Sequence, residues 1–200
     1  MIRLNWTRAL ALVVICCTGS VTVGQVSSNV TVLVVTDLGE ITVAIDTEQS
    51  PHTAANFLRY VDAGAYDGGQ FHRTVTMQNQ PNNDVRIEVI QASVNRGRSE
   101  DSFEPIQLER TSVTGLRHID GAISMARGGP DTATSSFFFC IGNQPSLDFG
   151  GNRNPDGQGF AAFGHVVSGS EVVRQIQMQP ADGQRLDPPI RIVSVSRLSN

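Results

Sequence analysis

The sequence predicts a mainly β fold, a closed antiparallel barrel with helices over its openings. Three observations lead there. Eight short runs rich in β-branched and aromatic residues are spread over residues 30–198, and runs of that kind bounded by Gly, Pro, Asn and Asp read as strands. Only two segments carry helical spacing, and no repeat, heptad or linker divides the chain. A sheet of many strands has edges to manage, and closure removes them.

The elements follow in order. Residues 30–35 and 41–45 flank "TDLGE" and read as a hairpin turning at Gly39. "SPHTAANFLRYVDAG" reads as a helix with Ser50 as N-cap, Pro51 in the first turn and Gly64 as the stop. Its Ala54, Phe57, Leu58 and Val61 form one apolar face. Strands are predicted at 70–75, 85–91, 121–126, 136–141 and 160–167. Ser170 caps a second helix, "EVVRQIQ", and "PIRIVSVSRL" is the closing strand. Residues 95–114 and "GNQPSLDFGGNRNPDGQG" read as loops. Within "SSFFFCIG", strand alternation puts Phe137 and Phe139 on one face and Phe138 on the other.

Composition narrows the function classes. The formal charge is -4 and the charges are interspersed, which argues against nucleic acid as a partner. All basic residues are Arg, with no Lys. Residues 1–24 read as a secretory signal peptide, and residues 25–200 as a single domain. Arg3 and Arg8 precede an uncharged run from Ala9 to Val23 that ends in small residues. That run falls short of the roughly 20 residues that span a bilayer, which disfavours an uncleaved anchor. Ile15 before Cys16 disfavours lipid attachment. The expectation is a protein exported to the periplasm or cell exterior, without stable membrane insertion after leader cleavage, and monomeric. Cys140 is then the one cysteine left, and its apolar neighbours read as core.

Several chemistries lack their residues. His52, His72, His118 and His165 show no zinc-binding spacing. There is no phosphate loop and no nucleophile elbow, so Ser135 and Ser136 read as structural. No metal and no cofactor is expected.

"GAYDGGQFHR" (64–73), "GAISMAR" (121–127), "TSSFFFCIG" (134–142), "SLD" (146–148) and "FAAFGHVVSG" (160–169) occur in that order. Together they resemble the cyclophilin family of peptidyl-prolyl cis-trans isomerases. "PIQLE" and "GLRH" resemble its bacterial branch. The resemblance covers about residues 30–198 and implies a closed eight-stranded antiparallel barrel capped by two helices. It also implies isomerisation of X-Pro bonds in unfolded or flexible chains, with proline-containing polypeptides as partners. Rotation about a peptide bond faces a barrier of ~18–20 kcal/mol, and X-Pro isomers exchange over tens to hundreds of seconds. No nucleophile is required. A fixed cation that favours the twisted amide over the planar one lowers the barrier.

By the resemblance, Arg73 is the catalytic residue, and His72 beside it is a packed histidine. The implied substrate site comprises Gln91, Val89, Ala126, Arg127, Ser136, Phe138, Leu147 and Phe160. Phe138 would form the floor of a proline pocket outside the barrel. The chain also departs from the family pattern. Glu88 and Val89 stand where Phe and Met are usual, Ser136 where Gln is usual, and Ser146 where Trp or Phe is common. Ala92 and Ser93 replace a glycine pair, and residues 76–84 are an insertion from which Met77 could refill the pocket. The expectation is a weaker or narrower activity, with weak cyclosporin binding. The alternative is a catalytically weak or inactive peptide-binding or chaperone module on the same fold.

Overall fold

The computed structural model describes residues 29–95, 97 and 103–199. The expected signal peptide, with Cys16 and Cys17, lies outside the described residues. Among the described residues nine strands form: β1 (Val30–Thr36), β2 (Gly39–Ile45), β3 (Gln70–Val75), β4 (Val89–Ser93), β5 (Ala122–Met125), β6 (Phe137–Cys140), β7 (Ala161–Ser168), β8 (Ala181–Asp182) and β9 (Arg185–Arg197). Three helices accompany them: α1 (Pro51–Asp62), α2 (Thr111–Thr114) and α3 (Ser170–Gln177). The strand order is β1-β2-β7-β5-β6-β4-β3-β9, and β9 pairs back onto β1. Eight antiparallel strands therefore close a barrel, and β8 is a two-residue stub on β9.

Phe137 and Phe139 lie in the interior core with Phe57, Phe71, Tyr66 and Phe163, while Phe138 belongs to a separate cluster outside. Helix α1 closes one opening. Its Phe57 ring sits 5.2–5.4 Å from the rings of Tyr66, Phe137 and Phe163. Each such large apolar side chain contributes roughly 1.5–3 kcal/mol on burial. Helix α3 buries Val172, Val173 and Ile176. The β1–β2 turn is stapled by Thr36, whose hydroxyl donates to the Gly39 carbonyl and accepts from the Leu38 N–H. Gly39 has φ +133°, and a Cβ there would lie 2.9 Å from Val172 Cγ2, so glycine lets α3 pack onto this turn.

The structure corrects several expectations. Ser50 occupies the N-cap position of α1, but its hydroxyl donates to the Asp46 carbonyl instead of capping the helix. The Glu109 carboxylate, 57 residues away in sequence from His52, accepts from the His52 and Thr53 N–H groups in its place. Gly169, not Ser170, is the N-cap of α3. The 95–114 stretch, read as loop, ends in α2, which stops at left-handed Gly115. The predicted strand 85–91 begins only at Val89. Before it, the backbone bonds to side chains: Ile87 N–H and C=O both engage the Gln80 amide, and the Val85 carbonyl accepts from Arg153. The closing strand starts at Arg185 rather than at residue 189. Its ladder with β3 jumps from Phe71↔Ile190 to Arg73↔Arg185, so Pro188 and Pro189, which lack an N–H, fall outside the paired positions.

Candidate active site

One lateral row of residues organises the site. Arg73 on β3 pairs with Gln91 on β4, Gln91 with Phe138 on β6, and Phe138 with Ser124 on β5. Residues directly opposite on neighbouring strands share a face. Since Phe137 and Phe139 point inward, this row looks outward. Strand register thus brings together an arginine, a glutamine and an aromatic ring that the sequence spreads over 65 residues.

Above the row lies a cavity of about 210 Å³, lined by Arg73, Gln91, Phe138 and residues of the segments around it. A ~150 Å³ apolar cavity holds benzene, so this one has room for a five-membered ring and adjoining backbone. Phe138 is the floor, 4 % exposed. The Phe160 ring meets it edge-on at 5.4 Å. Val89, Ile87, Leu147 and Ala126 complete the apolar wall.

Arg73 is held rigidly by neutral partners. Its Nη1 donates to Gln91 Oε1 at 3.0 Å, while Nε and Nη2 both donate to Gln184 Oε1 at 3.0 and 2.6 Å. Burial lowers the pKa of its guanidinium from the ordinary value, and among the described residues no carboxylate pairs with it. A second depression, lined by Gln70, His72, Gln184 and Arg185, adjoins Arg73 from the other side.

Arg127 lines the cavity in a different electrical state. Its side chain is 1 % exposed, and it pairs bidentately with Asp156 through Nη1 and Nη2 at 2.8 and 2.9 Å. Its Nε donates to the Gly159 carbonyl, and its guanidinium carbon lies 5.1 Å from the Phe160 ring centroid. The hydrogen bonds from Arg127, with one from the Gln158 N–H, hold the Asp156 carboxyl down at about 2. Arg127 is therefore a wall that pins the 150–160 loop, with its donors already engaged. Gly159, at φ +67°, allows the same loop to close: a Cβ would lie 2.6 Å from the Asp148 carbonyl carbon.

Behind the floor runs a buried polar chain. His118 stacks on Phe138 at 6.0 Å and 13°. Its Nδ1 donates to Asp148 Oδ1 at 2.7 Å, and its Nε2 lies 2.9 Å from Ser124 Oγ. Burial opposes the charge on Asp148, but hydrogen bonds from the His118 ring and backbone and from Arg117 outweigh it and hold the carboxyl below its usual range. The order Ser-His-Asp resembles a hydrolase relay. Ser124 is 0 % exposed, so no substrate carbonyl reaches it. The chain braces the aromatic floor. Among the described residues, no three His, Cys, Asp or Glu side chains are grouped to hold a metal.

Of the residues predicted from sequence, Arg73, Gln91, Val89, Ala126, Arg127, Phe138, Leu147 and Phe160 converge on the cavity. Ser136 does not line it. It lies one residue before β6, and its carbonyl accepts from the Ala126 N–H, tying the strand ends together. Glu88 takes no pocket position either, because alternation turns it away to Gln177 on α3, and Ile87 enters the wall instead. Met77 does not refill the pocket and is 41 % exposed. The 76–84 segment contributes Gln80, whose amide donates to the Thr76 and Ile87 carbonyls and accepts from the Ile87 N–H and Arg153. Sequence reasoning missed Gln80, Ile87, Arg153, Asn154 and Gln184. All but Ile87 are polar residues in turns or loops with no local pattern of their own. Ile87 gave a signal, as the third member of an alternating set with Val89 and Gln91.

Comparison with known proteins agrees with this geometry. A sequence model of the family described as "Cyclophilin type peptidyl-prolyl cis-trans isomerase/CLD" matches residues 31–197. Peptidyl-prolyl cis-trans isomerase A of Dickeya dadantii is 34 % identical over 146 residues, 72 % of this chain and 70 % of that protein. Peptidyl-prolyl cis-trans isomerase cyp18 of Streptomyces antibioticus is 32 % identical over 143 residues, 71 % and 80 % of the two chains. The crystal structure of a Cryptosporidium parvum cyclophilin type isomerase superposes with a TM-score of 0.68 at 21 % identity, covering 86 % of this chain and 99 % of that one. That protein has also been crystallised in the presence of the dipeptide Ala-Pro. With its closed barrel, its outward arginine–glutamine–phenylalanine row and these relatives, the chain belongs to the cyclophilin-type peptidyl-prolyl cis-trans isomerases.

Proposed function

We propose that this isomerase acts outside the cytoplasm on X-Pro bonds of unfolded or flexible chains. In this reading the proline ring seats on Phe138, between Val89, Leu147 and Phe160, and Gln91 holds the substrate backbone. Arg73 supplies the transition-state charge. The observation that carries it is the Arg73 guanidinium, clamped by two neutral amides at the cavity whose floor is Phe138. A planar X-Pro amide has its nitrogen lone pair in resonance, and twisting localises that pair. A preorganised cation near the nitrogen or the proline carbonyl interacts more strongly with the twisted form, which is what lowers a barrier. No proton moves and no covalent bond forms.

Both readings need the apolar wall, and the clamped Arg73 cation favours catalysis over a purely binding role. Ile87 and Val89 supply surface that the Glu88 departure was expected to remove. The test is two-dimensional NMR exchange on an Ala-Pro peptide with the purified protein. We expect exchange well above the uncatalysed rate, and its loss in Arg73→Ala. Peptide binding without exchange would favour the binding-module reading. Export rests on residues 1–24 and is tested by mass spectrometry of the protein from fractionated cells. A mature form starting near Gln25 outside the cytoplasm is expected, and an intact Met1 form inside it would refute export.

A further inference from the structure

The cavity holds more positive charge than proline binding requires. Its lining includes three arginines, Arg73, Arg127 and Arg153, and no Asp or Glu. Asp156 neutralises Arg127 bidentately. Among the described residues the other two are held by neutral acceptors alone, Gln91 and Gln184 for Arg73, and Gln80 and the Val85 carbonyl for Arg153. Neutral dipoles fix the position of a guanidinium without cancelling its charge. Burial lowers the pKa of the Arg153 guanidinium, and the nearby Arg73 lowers it further, so the two like charges feel one another. The arrangement is built rather than incidental. The 76–84 segment contributes Gln80, whose amide oxygen receives Arg153 Nη1 at 3.0 Å, and the Val85 carbonyl receives the same nitrogen at 2.7 Å. Arg153 Nε and Nη2 make no hydrogen bond to the described residues. A chain of net charge -4 thus concentrates two uncompensated cations at one small cavity.

We infer that the site selects substrates in which a residue adjoining the proline carries an anionic group, a carboxylate or a phosphate, and that Arg153 reads it. This rests on the isomerase reading only in taking the proline ring into this cavity. Two partly desolvated like charges destabilise the empty site, and an anion between them relieves that and adds charge-assisted hydrogen bonds. Charge is the discriminating feature, because a neutral amide of the same shape offers its oxygen without the countercharge.

The test uses two peptide pairs of equal shape, Glu-Pro against Gln-Pro and Pro-Glu against Pro-Gln, and one pair that adds a phosphate, phosphoserine-Pro against Ser-Pro. Affinity by NMR titration and kcat/KM by exchange are both measured, and the anionic-to-neutral ratio is taken within each protein so that any general loss cancels. We expect at least one pair to favour the anion about tenfold, or about 1.4 kcal/mol. The ratio should fall to within twofold of unity in Arg153→Gln and persist in Arg153→Lys. Discrimination by the Glu pairs assigns a carboxylate, and by the phosphoserine pair a phosphate. Should Arg153→Gln fold poorly, the ratio for the unaltered protein must still shrink as salt rises, because the Debye length drops from about 30 Å at 0.01 M to about 3 Å at 1 M. Ratios near unity throughout, or a ratio that survives in Arg153→Gln, would overturn the inference. Anion-selective binding without exchange would sink the isomerase reading alone, and exchange without selectivity would sink this one alone.

Discussion

Gln184→Glu is the sharpest perturbation of the proposed mechanism, because it changes charge at nearly constant shape. Gln184 Oε1 lies 2.6 Å from Arg73 Nη2 and 3.0 Å from Nε. A carboxylate would accept both hydrogen bonds at least as well, so the guanidinium stays in place. What changes is the field at the substrate. At an effective dielectric of about 20, unit charges about 4 Å apart interact by about 4 kcal/mol. If the twisted amide develops roughly a third of a charge, a countercharge beside Arg73 removes roughly 1.4 kcal/mol of transition-state stabilisation, about tenfold in rate. We expect kcat in the exchange assay to fall by about that factor, with peptide affinity within about twofold. Stability should drop by about 1 kcal/mol, because the Gln184 Nε2–H bond to the Asn79 carbonyl is lost. The pH dependence gives an internal control. Protonating the new carboxyl restores a neutral partner, and pairing with Arg73 holds its pKa below the ordinary ~4.3. The rate relative to the unaltered protein should therefore climb only as pH drops below about 4. A variant with full kcat near neutral pH would refute the idea that an uncompensated cation drives catalysis. So would a loss that low pH does not recover.

Other consequences can be measured separately. Phe138→Ala should cost about 3–5 kcal/mol of stability, the usual range for deleting a buried ring, and weaken peptide binding more than Phe138→Leu, as read by denaturant unfolding and titration. Asp148→Asn removes a charged acceptor from His118 and should cost roughly 1.5–3 kcal/mol near neutral pH. The Asp148 carboxyl is held below its ordinary value near ~3.9. Its contribution is therefore whole above that pH and fades as pH falls through the lowered folded-state value. The stability gap between the two proteins should narrow on acidification, and a gap independent of pH would contradict the bracing role. Glu109→Ala takes the cap from α1 and should lower stability by about 1 kcal/mol, or about 2–4 °C in Tm by calorimetry. Its exchange activity should be unaffected, because Glu109 does not line the cavity.

The sequence was most legible where a side chain's role follows from its own strand. Alternation alone sent Phe138 out of the barrel while Phe137 and Phe139 filled it, and the ordered motifs pointed to Arg73, Gln91 and Leu147. It was least legible where a role is defined by a distant partner. Ser50 has the composition of a cap, yet Glu109 does the capping. Glu88 aligned with a pocket position, yet its side chain bonds Gln177, because β4 begins only after the Gln80 clamp has set the backbone.

Arg127 and Arg153 show the same division inside the cavity. The "GAISMAR" motif marked Arg127 and no motif marked Arg153, but neither the motif nor the neighbouring residues tell which of the two keeps a free charge. Pairing with Asp156 silences the first, and contact with the uncharged Gln80 and Val85 leaves the charge of the second without a counterion among the described residues. The chain by itself determined the barrel, its alternating faces and the residue types available for proline chemistry, because these depend on periodicity and local backbone preference. Only the tertiary structure decided which charges meet a countercharge and which remain to act on a substrate. Electrostatic interaction depends on distances through space, and folding, not sequence order, sets those distances.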